Sequence, residues 1–363
     1  MRKTRIAYLI TGLHVGGAER NLEMLASALD QERFEVSVGS LTPGGAIGVS
    51  LSAKGICVAE LGARRSSDVR ALPRLLAWLR RVKPDLLHTW LFHANFLGRC
   101  AGAILGRCPV VSSIRVAEPR RWHLLLERIT APLARAILVN SASLRDYMIA
   151  AGIDAAKLRV IPNAVDLARF ARTRRRRKRG GSFDVLFVGR LDRQKGVDVL
   201  LRALSVLKVG RTVRVQLVGD GPQREALMRL ADELRLTDVT FAGRSDRIPE
   251  LLGEADVLVL PSRWEGLPNV VLEALAAGCP VIGTDVVGTR DLITDGVNGL
   301  LVPSDDPQAL ARAMTTLAAD ADLGERLAVC GRDTARRHAI PTMAAAHESL
   351  YRNVLGRSRP ARA

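Results

Sequence analysis

Short apolar runs rich in β-branched residues alternate with longer segments of helical period along most of the chain. In the first half the runs fall at 5–10, 34–39, 56–59, 85–89, 109–113, 136–139 and 158–161, with helical stretches including 17–29, 68–82 and 93–105. The second half repeats the scheme with runs at 184–188, 213–218, 239–241, 256–260 and 280–283. Strand alternating with helix marks a parallel sheet covered by helices, because parallel neighbours need a crossover between them. The pattern occurs twice, so an α/β fold with two doubly wound parallel sheets is expected. Each sheet would bind ligands at the carboxyl ends of its strands, and two such sheets facing each other would frame a cleft.

A length of 363 residues suits two domains of about 150 residues each, and 48% hydrophobic residues suffice for two cores. The expected division is a domain over 1–170, a basic linker over 171–181, a domain over 182–340 and a C-terminal helix over 341–363 that crosses back to the first domain. The linker has no apolar residue after Ala171 and ends in Gly180-Gly181, so it cannot pack as a core element. The net charge of +17 is unevenly placed. Residues 1–170 hold 24 Lys and Arg against 13 Asp and Glu, residues 171–180 hold 7 against none, and residues 181–363 hold 23 against 24. A uniformly cationic protein is therefore excluded. Five cysteines with no C-x-x-C pair and no zinc-finger spacing argue against a structural metal and for a reducing, cytoplasmic setting. The apolar residues 6–10 behind Arg2-Lys3-Thr4-Arg5 are too few for a signal-peptide core, and no apolar run approaches the ~20 residues that span a bilayer.

The most informative stretch is Pro261-Ser262-Arg263-Trp264-Glu265-Gly266-Leu267-Pro268-Asn269-Val270-Val271-Leu272-Glu273-Ala274. It follows the run Val257–Leu260 and turns into a helix near Pro268, a residue suited to a first turn. The N–H groups of Asn269 and Val270, with the helix dipole, would favour an anionic group such as a phosphate. Glu265 and Glu273 bracket the segment, and a carboxylate that accepts two sugar hydroxyls is a reason to hold Glu beside a carbohydrate. Residue type alone leaves open that Glu265 caps the helix and Glu273 is solvated. A second cluster, Val188-Gly189-Arg190-Leu191-Asp192-Arg193-Gln194-Lys195-Gly196, lies between a strand and a helix. There Gly189 allows close backbone approach, while Arg190 and Lys195 offer a fork and a point charge suited to a diphosphate. Neither Gly219-Asp220-Gly221-Pro222 nor Gly12-Leu13-His14-Val15-Gly16-Gly17 matches G-x-G-x-x-G, which argues against a dinucleotide oxidoreductase.

Taken together, these motifs resemble the retaining GT-B glycosyltransferases of family 4. The likeness rests on the Glu265/Glu273 pair, Gly189-Arg190-Leu191 with Lys195-Gly196, and Ala277-Gly278-Cys279-Pro280-Val281-Ile282. Asp295-Gly296-Val297-Asn298-Gly299-Leu300-Leu301-Val302 resembles the family's closing segment. Gly16-Gly17-Ala18-Glu19-Arg20 and Ile161-Pro162-Asn163-Ala164-Val165-Asp166 resemble its N-domain loop and domain junction. The resemblance implies two Rossmann-like domains, acceptor-binding then donor-binding, and a nucleotide-sugar donor, UDP- or GDP-linked, held mainly by the C-terminal one. It implies that Glu273 binds the ribose, Glu265 the transferred sugar, and Arg190 and Lys195 the diphosphate. Gly243 and Arg244 would lie against the base, Gly16 and Gly17 against the donor phosphates, and Gly189, Gly266, Leu267, Asn269 and Val270 would complete the donor set. Transfer with retention, without a metal or other cofactor, to a glycan or lipid-linked acceptor in cell-surface polysaccharide or glycoconjugate synthesis is implied as well. One departure stands out. Many members carry a His where this chain has Arg115, and an arginine cannot act as a base at neutral pH. His93 is then the candidate for a sugar-facing imidazole, although His88 and His93 can equally be read as packed residues. Arg115 suits an anionic acceptor or the donor phosphates.

The run Arg172–Arg179 is the obvious footprint for nucleic acid or an anionic membrane, or else a solvated interdomain insertion. Nucleic acid is not expected, because aromatic residues are 4% of the chain and the run holds none to stack on bases. A membrane surface met through Arg174–Arg179 is better supported, since Arg70–Lys83 and Glu118–Arg135 are also basic and amphipathic. Attachment would then be peripheral, on the inner face of the plasma membrane. Two other function classes remain beside transfer: a nucleotide-sugar epimerase of GT-B fold, and a non-catalytic nucleotide-sugar-binding protein.

Overall fold

Apolar runs too short for buried helices become strands three to seven residues long, and the inner ones are buried on both faces. A computed structural model describes residues 2–64, 68, 70–106, 108–171 and 181–356. The chain divides into two units, one running up to Ala164 and resuming at Ile340, the other spanning Val165–Ala339. The first unit holds β1 (Thr4–Ile10), β2 (Phe34–Ser40), β3 (Cys57–Glu60), β4 (Leu86–Trp90), β5 (Val110–Ile114), β6 (Ala136–Val139) and β7 (Leu158–Val160). These strands pair in parallel in the order β3-β2-β1-β4-β5-β6-β7. The second unit holds β8 (Phe183–Val188), β9 (Val213–Val218), β10 (Val239–Gly243), β11 (Val257–Leu260), β12 (Val281–Thr284) and β13 (Leu300–Val302). Its order is β10-β9-β8-β11-β12-β13, again parallel throughout.

Both units are thus doubly wound, with the order reversing between β1 and β4 and between β8 and β11. In β1 the pleat sends Ile6, Tyr8 and Ile10 to one core layer and Ala7 and Leu9 to the other. The division falls at Ala164, six residues before the boundary at 170 read from sequence. The physical reason is that Val165 bridges to Ala339 and Phe170 is buried in the second core. The basic run 172–179, with most of the expected linker, lies outside the described residues. The helix near Pro268 begins one residue later than expected: Pro268 is extended and Asn269–Ala277 is helical.

Helix Ile340–Val354 packs in the first unit. Tyr351 Oη lies 2.9 Å from Tyr8 Oη and 2.7 Å from His88 Nδ1, and His88 Nε2 lies 2.8 Å from Ser113 Oγ. His347 stacks on Trp90 and its Nδ1 bonds to the Met343 carbonyl at 2.9 Å. Burial holds His88 well below the ordinary imidazole range and lowers His347 to about 3. Both rings are therefore neutral in the fold and gain protons on unfolding in acid. Their contribution is present above pH ~6.5 and is lost as pH falls, for His347 at up to about 1.4 kcal/mol per pH unit. The first unit should therefore lose stability between pH ~6.5 and ~5, and His347→Phe should make that loss shallower in urea titrations. An unchanged slope would mean that His347 titrates normally in the fold.

Candidate active site

Loops following β8, β9, β11 and β12 interlock in the second unit through positions where only glycine fits. Gly196 (φ +62°), Gly219 (φ +141°) and Gly288 (φ +81°) adopt backbone that disfavours side chains. A Cβ at each would overlap the carbonyl oxygen of Pro261, Gly189 or Gly266 respectively. Gly189 donates to the Val218 carbonyl at 2.9 Å and Gly219 to that of Gly243 at 2.7 Å, so neighbouring strand ends are tied together.

Asp192 closes a turn of 3-10 helix by accepting from the Lys195 backbone N–H at 3.2 Å, and its other oxygen meets Arg190 Nε at 2.5 Å. That turn delivers Lys195 Nζ to Glu265 Oε1 at 2.5 Å. Ser262 Oγ donates to the same oxygen at 2.7 Å, and Glu265 is buried. Both partners thus fall on Oε1, leaving Glu265 Oε2 without a hydrogen bond among the described residues. Glu265 is no helix cap here, since it precedes the helix without bonding its N–H groups. Thr284 Oγ1 donates to the Ser262 carbonyl, fixing the loop to the end of β12. Arg263 meets Asp198 at 2.7 and 2.9 Å and Asp305 at 2.7 Å. Burial pushes the Asp198 carboxyl up, and Arg263 outweighs it, leaving the group below its usual range.

Of the residues singled out from sequence, Lys195 and Glu265 touch. Gly189 follows β8 and Gly243 ends β10, both tied to the end of β9, while Gly266 lies in the loop between β11 and the next helix, with Leu267 buried and Asn269 and Val270 opening that helix. Glu273, the fifth residue of that helix, is half-buried. Arg190 is exposed and turned to Asp192, and Arg244 is exposed beside Gly243, whose φ is +70°. Gly16, Gly17, His93 and Arg115 belong to the first unit. Gly16 caps helix Gly17–Ala28, and half-buried His93 lies against Phe92 and His123 with burial lowering its pKa. Arg115 is buried. Its guanidinium lies 3.8 Å from the Trp90 ring and donates to Asn163 Oδ1 at 3.0 Å, and burial lowers its pKa to about 9. Ser262, Gly288 and Thr284 were not singled out. Only Gly288, ahead of Thr289 at a strand–helix turn, carried a sequence signal.

The pattern described as "Glycosyltransferase Family 4" matches residues 15–169, and "Glycosyl transferases group 1" matches residues 182–320. The alpha-D-kanosaminyltransferase of Streptomyces kanamyceticus is 34% identical over 65% of this chain and 67% of its own length. The chain belongs to the family 4 glycosyltransferases. A D-inositol 3-phosphate glycosyltransferase of Pseudarthrobacter chlorophenolicus is 29% identical over 93% of this chain and 92% of its own. The Anabaena protein HepE, solved with UDP and glucose, superposes with a TM-score of 0.86 at 23% identity, covering 96% of this chain and 100% of its own. The fold is therefore GT-B, and the protein is an enzyme that transfers a sugar from a nucleotide-sugar donor in glycoconjugate synthesis. These likenesses favour neither the epimerase nor the non-catalytic reading. Among the described residues, no helix is long and apolar enough to cross a membrane.

Proposed function

We propose that the second unit holds a UDP- or GDP-sugar and that transfer to a glycan or lipid-linked acceptor proceeds with retention. The observation that carries this reading is the Lys195–Ser262–Glu265 constellation, in which two donors fix one carboxylate oxygen and leave the other for sugar hydroxyls. Lys195 has three N–H donors, so two remain for the diphosphate after Glu265 takes one. Arg190 supplies a second cation from the same loop, and Glu273 a carboxylate for the ribose hydroxyls. Gly189, Gly266, Leu267, Asn269 and Val270 line the phosphates and sugar, and Gly243 and Arg244 the base. In the first unit, Gly16 and Gly17 are the residues for the donor phosphates and neutral His93 for the transferred sugar.

In the reaction the bond from the anomeric carbon to the diphosphate oxygen breaks while the acceptor oxygen bonds on the same face. The acceptor proton passes to the departing phosphate oxygen. Lys195 and Arg190 stabilise the charge growing on that oxygen, and Glu265 holds the sugar in place, so catalysis rests on positioning and electrostatics. The HepE complex with UDP makes UDP the first nucleotide to test. Attraction of an anionic membrane to Arg174–Arg179 is part of this proposal.

UDP at about a hundred times its dissociation constant should stabilise the folded protein by about 2.7 kcal/mol, read as a rise in melting temperature. GDP giving that rise and UDP none would reassign the base. No shift with either nucleotide would overturn the donor site. Product NMR showing inversion at the anomeric carbon would overturn retention alone.

A further inference from the structure

Helix Arg121–Thr130 is turned the wrong way round for a helix in water. It buries His123, Glu127 and Thr130. It exposes Trp122 at 53%, Leu125 at 54% and Ile129 at 62%, and Leu133 in the following turn is exposed too. Spacings of three and four place these apolar residues on one stripe.

Charge fixes the orientation. Arg99, fully buried, meets Glu127 Oε2 at 2.6 Å and Thr130 Oγ1 at 3.0 Å, while Asn95 Nδ2 reaches Glu127 Oε1 at 3.3 Å. Rotating the stripe inward would strand that ion pair. Burying charge while showing apolar surface to water is unfavourable on both faces, so the stripe is built for a cover. The other amphipathic segment read from sequence behaves in the opposite way. Helix Ala71–Val82 spends Leu75, Trp78 and Leu79 on the core of its own unit, which removes Arg70–Lys83 from the membrane reading.

The chemistry around the stripe selects its cover. Exposed Arg121 and Arg128 lie on the same side of the helix, and Arg120 precedes it, paired at 3.5 Å with Glu118, which also meets His123 at 3.4 Å. The only carboxylate within the helix, Glu127, faces inward. A surface with an apolar interior and an anionic face matches both features, and a tryptophan beside arginines suits the boundary between headgroups and acyl chains.

We propose that helix Arg121–Thr130 docks the first unit on an anionic bilayer, lying in the interface with Trp122, Leu125 and Ile129 inserted. This depends neither on the donor site nor on Arg174–Arg179. The test uses the full chain with vesicles of phosphatidylcholine, alone or mixed with phosphatidylglycerol. Anionic vesicles should shift the Trp122 emission to the blue, measured as the difference from Trp122→Phe. The triple variant Trp122→Ser, Leu125→Ser, Ile129→Ser should bind at least about tenfold more weakly, with unchanged melting temperature and donor hydrolysis in solution, because the three side chains are exposed. Neutralising Arg174–Arg179 should leave the emission shift in place. Vesicle binding equal in wild type and triple variant, or none by wild type, would overturn the proposal. So would a wild-type dimer that the triple variant dissociates, which would make a second copy of the chain the cover.

Discussion

Glu265→Ala should lower sugar transfer about a hundred- to a thousandfold, the loss expected when a preorganised polar group is removed from a reacting centre. Both hydroxyl-accepting capacity and the partner of Lys195 disappear together. Glu265→Gln separates the two, keeping an acceptor oxygen while removing the charge beside the ammonium. Release of free nucleotide from a UDP-sugar, followed with and without acceptor, reads the effect. Melting temperature without donor checks that the loop closed by Ser262 and Thr284 still forms. A folded Glu265→Ala enzyme within a few-fold of wild type would remove Glu265 from the site.

Arg99→Leu should cost about 3–5 kcal/mol, because it leaves the Glu127 carboxylate buried without its cation. Arg99 also holds Ser112 Oγ at 2.9 Å, so the change unties β5 and helix Arg121–Thr130 at once. The double variant Arg99→Leu, Glu127→Leu should recover most of the loss, since two apolar residues need no partner. Urea unfolding of the two single variants and the double variant closes the cycle. A single-variant cost below about 1 kcal/mol would mean that the pair is solvated in practice.

The same pair explains what sequence could and could not reveal. The alternation of short apolar runs located twelve strands because covered parallel strands leave an unbroken hydrophobic signature. β13, Leu300–Val302 behind the turn at Asn298-Gly299, was not among them. Glu265 and Lys195 were legible as chemistry, seventy residues apart, yet their contact depends on how two loops meet. Ser262 was invisible as a partner, since a serine three residues before a glutamate reads as a capping box at a helix start rather than as a side-chain pair in a loop. Hydrophobic period marks residues that share a helix face without saying which way that face turns. Glu118–Arg135 therefore looked much like Arg70–Lys83, and only the buried Arg99–Glu127 pair separates them. The packing of Arg115 was hidden for a similar reason: Trp90 and Asn163, which touch it, come from distant parts of the chain.

The first unit leaves off at Ala164 and is finished by helix Ile340–Val354, so it is the second unit, Val165–Ala339, that is contiguous. On the ribosome the order of completion is inverted. Tyr8 and His88 emerge early, but Tyr351, which joins them in one hydrogen-bonded group, is made only after the whole second unit. At about 5–20 residues per second, its 175 residues take roughly 9–35 s to synthesise. For that interval Tyr8 and His88 lack their Tyr351 partner, and the unit begun before the second is completed after it.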